Sequence, residues 1–98
     1  MIKHVIVRYT VKPQAAGENA QLVKNVFAEL AQAEPDGITY TAYVLDDGVT
    51  FVHVAELTGE SNPLAELASF GEFQKGLSDR CDAGPAPSGA TVVGSYGR

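Results

Sequence analysis

Residues 38–57 read ITYTAYVLDDGVTFVHVAEL. Ile38 to Leu45 and Val49 to Leu57 are rich in β-branched and aromatic residues, the composition of strands. Between them lie Asp46, Asp47 and Gly48. Asp-Gly marks a tight hairpin turn, because the turn needs a positive φ that glycine adopts without steric cost. This fixes one antiparallel pair, and the flanking segments decide what is built on it.

Upstream, Val5, Val7, Tyr9 and Val11 alternate with His4, Ile6, Arg8 and Thr10, which predicts a first strand. Pro13 ends it, since it has no N–H to give a ladder. The period then changes. Leu22, Val23, Val26, Phe27 and Leu30 share one side, opposite Gln21, Lys24, Asn25, Glu29 and Gln32. This is an amphipathic helix of roughly four turns, with Glu18 near its N-terminal end. Pro35 and Gly37 stop it.

Downstream, Asn62 suits a helix N-cap and Pro63 the first helical position. Leu64, Leu67, Ala68, Phe70, Phe73 and Leu77 form the apolar stripe of a second helix, with Gly71 and Gly76 as points of fracture. Residues 82–89 hold two prolines and two glycines and read as a loop, and Ala90 to Tyr96 reads as a last strand. The order is β-α-β-β-α-β over a single domain, residues 1–98. The expected fold class is α+β, ferredoxin-like: a four-stranded antiparallel sheet with both helices on one face.

Two helices shelter one face only, yet the strands carry apolar residues at both parities. Val5, Val7 and Tyr9 stand against Ile6, Ile38, Tyr40 and Val44 against Tyr43 and Leu45, Phe51 and Ala55 against Val52 and Val54, and Val92 against Val93. A wetted face alternates more cleanly. If about ten such side chains each left about 40 Å² in water, about 10 kcal/mol would be forfeited, an upper bound. A second copy of the chain covering that face resolves the conflict, so a homodimer is the expected partner. The competing reading is a monomer with a mixed surface.

Hydrophobic residues make up 45% of the chain and charged residues 19%, which separates it from disordered sequences. The net charge is −5 and the seven Lys and Arg are scattered, which argues against nucleic acid and anionic membranes. Cys81 is the single cysteine and forms neither an internal disulfide nor a zinc site. No signal-peptide run or transmembrane stretch is present, so the expected location is the cytoplasm. The two histidines, 49 positions apart, follow no metal-binding spacing, and no glycine-rich phosphate loop occurs, so no metal or other cofactor is expected.

Three segments carry a family likeness: VIVRYTVKP at 5–13, FVHVAE at 51–56 and SFGEFQK at 69–75. In these the chain resembles the antibiotic biosynthesis monooxygenase-like family of the dimeric α+β barrel superfamily. The resemblance implies two sheets paired face to face and a small-molecule pocket in each subunit, between sheet and helices. It also implies cofactor-independent oxygenation of a small aromatic or polyketide-like molecule. The alternative is a non-catalytic dimeric module that binds a small ligand or a partner. Haem-degrading relatives carry Asn, Trp and His where this chain has Val7, Leu67 and Leu77, none of which can ligate iron, so haem degradation is set aside. The Trp used by quinone-forming relatives has no counterpart, because the chain contains none.

His53 is the candidate catalytic base, a histidine titrating near neutrality. Its competing reading is a histidine bonded in the core or at a dimer interface, and the parity that would decide is not fixed by sequence. Tyr40, Phe70 and Phe73 are the candidate substrate-binding walls, or plain core. Tyr9 and Tyr43 offer further hydroxyls. His4 and Arg8 share a strand face and could hold a carboxylate, or sit at a rim. Asp46 and Asp47 read as turn residues, and Cys81 as a passive thiol.

Overall fold

The computed structural model describes residues 2–97. Strand β1 spans Lys3–Val11, and a short 3-10 turn at Pro13–Ala15 leads into helix α1, Ala16–Ala33. The hairpin follows as β2, Ile38–Val44, and β3, Thr50–Leu57. A 3-10 turn at Pro63–Glu66 precedes α2, Ala68–Gln74, and α3, Leu77–Arg80, before strand β4, Cys81–Ala90. The sheet order is β2-β3-β1-β4, antiparallel at every pairing. This is the ferredoxin-like arrangement expected from the sequence, and among the described residues no helix is long and apolar enough to cross a membrane.

The hairpin turn is held by Asp47. Its carboxylate accepts from the Val49 and Thr50 amides at 3.0 and 2.9 Å and from the Thr50 hydroxyl at 2.5 Å, while Gly48 takes φ 76°. These bonds hold the Asp47 carboxyl below the usual carboxylate range. The pair at 46–47 is therefore a turn device.

The second helix is shorter and more broken than its apolar stripe suggests. Asn62 caps as expected, its Oδ1 accepting from the Leu64 amide at 3.0 Å. The first turn then closes as 3-10, Leu67 is extended, and α2 starts afresh. The fracture falls at Gly76, in the left-handed region at φ 77°, and Gly71 stays inside α2. Glu29 of α1 clamps the start of α2, accepting from the Ser69 amide at 2.9 Å and hydroxyl at 2.6 Å.

The last strand corrects the sequence expectation most. Residues 82–89, expected as a loop, belong to β4, and the expected strand at Ala90–Tyr96 does not form beyond Ala90. β4 is an edge strand. Pro87 lies opposite Val7, Pro85 falls where the register with β1 shifts, and an edge tolerates proline where the missing N–H faces the open side. Val92, Val93 and Tyr96 have the composition of a strand but lie exposed, with no strand beside them in this chain.

The core lies between the helices and one sheet face. Tyr9, Val11, Phe51, Val23, Val26 and Phe73 form its buried centre. On the other face Ile6, Tyr43, Val52 and Val54 alternate with Arg8, Thr39, Thr41 and Glu56. His4 Nδ1 stands 3.5 Å from Glu56 Oε1 there. That face is mixed, with fewer apolar side chains than the sequence pattern implies.

Candidate functional site

β3 lies between β2 and β1, so a side chain at its middle meets neighbours from both. His53 occupies that position on the helix-facing side and is 5% exposed. The residues directly across from it are Val7 and Ala42, both small. The imidazole therefore reaches the diagonal neighbours instead, Tyr9 on β1 and Tyr40 on β2. Tyr9 Oη is 2.8 Å from His53 Nε2, and Tyr40 Oη is 2.5 Å from His53 Nδ1. The Phe73 ring stacks on the imidazole at 5.4 Å between centroids.

The polar chain continues behind Tyr9. Asn19, fully buried on α1, donates its amide to Tyr9 Oη at 3.0 Å. Arg80 Nε donates to Asn19 Oδ1 at 3.1 Å. The rest of the guanidinium donates to the carbonyls of Phe73 at 2.7 Å and Lys75 at 3.2 Å. These carbonyls close the C-terminal end of α2, where the helix dipole favours a cation. A buried charge is thus met by carbonyl oxygens with no carboxylate.

Burial sets the electrostatics. It lowers the His53 pKa to about 4, so the ring is neutral at pH 7. It pushes Tyr9 up to about 12, opposed by the Asn19 hydrogen bond, and raises Tyr40 further. The expectation of a histidine titrating near neutrality is therefore corrected. With both ring nitrogens occupied, His53 exchanges a proton with a guest only through a tyrosine hydroxyl.

These groups line a cavity of about 280 Å³ between sheet and helices. Its volume falls just below the usual range of small-molecule pockets. Tyr9, His53, Leu64 and Phe73 are buried at its floor, while Asn62, Gln74, Pro85 and Pro87 are exposed at its rim. The sequence candidates His53, Tyr40, Phe70 and Phe73 all line it. His4 and Arg8 do not, since they lie on the opposite sheet face, as does Tyr43. Cys81 is buried at the start of β4, and burial raises its thiol pKa. Among the described residues, no group of three or more His, Cys, Asp or Glu side chains is placed to hold a metal ion.

Sequence reasoning alone misses Asn19 and Arg80. Asn19 carries a signal: it sits four and seven positions before Val23 and Val26, a polar residue on the apolar stripe of α1. Arg80 carries none, because its burial depends on the fracture at Gly76.

No protein-family model matches the sequence, and no curated protein does. Solved structures match over nearly the whole chain. One described as an antibiotic biosynthesis monooxygenase matches with a TM-score of 0.77 at 18% identity, covering 96% of this chain and 100% of that one. A conserved protein from Methanosarcina mazei Go1 matches at 0.75 and 19%, covering 92% and 91%. A variant of SnoaB, a cofactor-independent oxygenase from Streptomyces nogalater, matches at 0.71 and 16%, covering 99% and 98%. At such identities the likeness is one of fold: the chain has the βαββαβ architecture of the antibiotic biosynthesis monooxygenase structures.

Proposed function

We propose that the chain is a cofactor-independent oxygenase acting on a small aromatic or polyketide-like molecule held between sheet and helices. The observation that carries this reading is the neutral His53 with a tyrosine hydroxyl on each ring nitrogen, at the floor of an apolar cavity. A phenol or enol seated there gives its proton to a tyrosine oxygen as that tyrosine passes its own to His53. The products are a substrate anion and an imidazolium, so the cavity gains no net charge. The anion is electron-rich enough to reduce dioxygen. One oxygen atom enters the ring, the other leaves as water, and a hydroxyarene becomes a quinone. Fold likeness to SnoaB agrees with this chemistry by analogy alone.

The alternative, a non-catalytic module that binds a small ligand, is favoured by one observation. A histidine with a pKa of about 4 is a weak base at pH 7. Oxygen consumption with a panel of phenols and hydroxynaphthalenes separates the two. The oxygenase reading expects turnover that falls about a hundredfold or more in His53→Leu, with the fold retained. No turnover on any of the panel, with binding preserved, leaves the binding module.

The reading includes a second copy of the chain over the uncovered sheet face. Ile6, Tyr43, Val52 and Val54 supply the apolar part of that face, and the polar residues among them suit a rim. Sedimentation should give twice the chain mass of 10.3 kDa.

A further inference from the structure

The site has one more hydrogen-bond donor than it uses. Tyr9, Tyr40 and the neutral imidazole together carry three donor hydrogens, and two hydrogen bonds join them. If Nδ1 carries the proton, it donates to Tyr40, Nε2 accepts from Tyr9, and the Tyr40 hydrogen is left over. If Nε2 carries it, it donates to Tyr9, Nδ1 accepts from Tyr40, and the Tyr9 hydrogen is left over. Asn19 changes nothing, because it donates to the Tyr9 oxygen. Among the described residues neither hydroxyl has another acceptor, and both line the cavity. One O–H hydrogen therefore faces the guest in either tautomer.

Among the described residues the same cavity has no charged wall. No Asp, Glu, Lys or Arg is among its lining residues. The cation behind it, Arg80, is spent on Asn19 and on the Phe73 and Lys75 carbonyls. A carboxylate or phosphate entering the floor would lose its hydration with no counter-charge, which costs more than an apolar wall returns. The rings of Tyr9, Tyr40, Phe70 and Phe73 favour a flat guest, and the volume favours a bicyclic one.

We propose that the site selects an uncharged aromatic ligand of about bicyclic size, whose single buried oxygen accepts the spare tyrosine hydrogen. This rests on the cavity being the ligand site, as the proposed function also requires. His53 then acts as a switch between donors: the tautomer decides whether Tyr9 or Tyr40 holds the guest.

The test is calorimetric titration with three probes of similar shape: naphthyl methyl ketone, naphthoate and isopropylnaphthalene. The His53 ring nitrogens are followed by NMR to locate each. The ketone should bind and shift the His53 signals, naphthoate should bind at least about tenfold more weakly, and isopropylnaphthalene several-fold more weakly. Naphthoate binding as tightly as the ketone overturns the uncharged class while leaving the cavity reading intact. Isopropylnaphthalene matching the ketone overturns the donor. Binding by none of the three overturns this inference and the proposed function together.

Discussion

Tyr9 and His53 are joined across β1 and β3 by a diagonal bond, Oη to Nε2 at 2.8 Å, although 44 positions separate them in the chain. Tyr40 repeats the diagonal from the other side. The register makes this possible by placing Val7 and Ala42, not large side chains, directly opposite the imidazole.

Stability should fall with acid through His53. Its pKa is about 4 folded against an ordinary 6.5 unfolded, so the unfolded chain takes up the proton first. The stabilisation is complete above pH 6.5, is lost as pH falls toward 4, and changes no further below that. The loss should reach about 3 kcal/mol. Urea unfolding of the wild type and of His53→Leu across that range measures it, and the difference between the two curves should carry the slope.

Asn19→Leu should destabilise the protein by about 2–3 kcal/mol, because it strips a donor from Tyr9 and leaves the buried Arg80 Nε without an acceptor. Denaturant midpoints give the value. Arg80→Met should cost a similar amount, and the double variant less than the sum, since the two residues share one network.

The two glycines of the helical segment should respond with opposite signs. Gly76 lies at φ 77°, where a Cβ is strained, so Gly76→Ala should cost about 1 kcal/mol. Gly71 is inside α2, and a methyl group there would point into open space, so Gly71→Ala should gain about 0.5–1 kcal/mol. Thermal unfolding of the two variants checks both.

Val54→Lys places a charge at the middle of the uncovered sheet face, on the side away from the cavity. It should convert the proposed dimer to a species of one chain mass in sedimentation, with the helix content retained. A wild type that already sediments as one chain removes the dimer from the account.

The hairpin, β1 and α1 are legible in the sequence because each states its period in local residues, and Asp47-Gly48 states the turn. The parity of β3 is legible only as two options: Val52 and Val54 are as apolar as Phe51 and Ala55, so composition does not say which side His53 takes. β4 escapes a local reading because proline and glycine signal loops in isolation, whereas an edge strand accepts them through its position in the sheet, a tertiary fact. The cavity walls Phe70 and Phe73 follow from family likeness, and Tyr40 from its aromatic body and hydroxyl on a strand. The network of Tyr9, Asn19 and Arg80 spans β1, α1 and the end of α3, and no local pattern joins residues 61 positions apart.

The protonation of His53 bears most directly on the proposed chemistry, and nitrogen NMR of its ring between pH 7 and pH 3 reads it. One protonated and one bare nitrogen are expected, unchanged until close to pH 4, with both signals moving when Tyr9 or Tyr40 is replaced by Phe. A ring that takes its second proton near pH 6.5, indifferent to both tyrosines, would contradict the site described above.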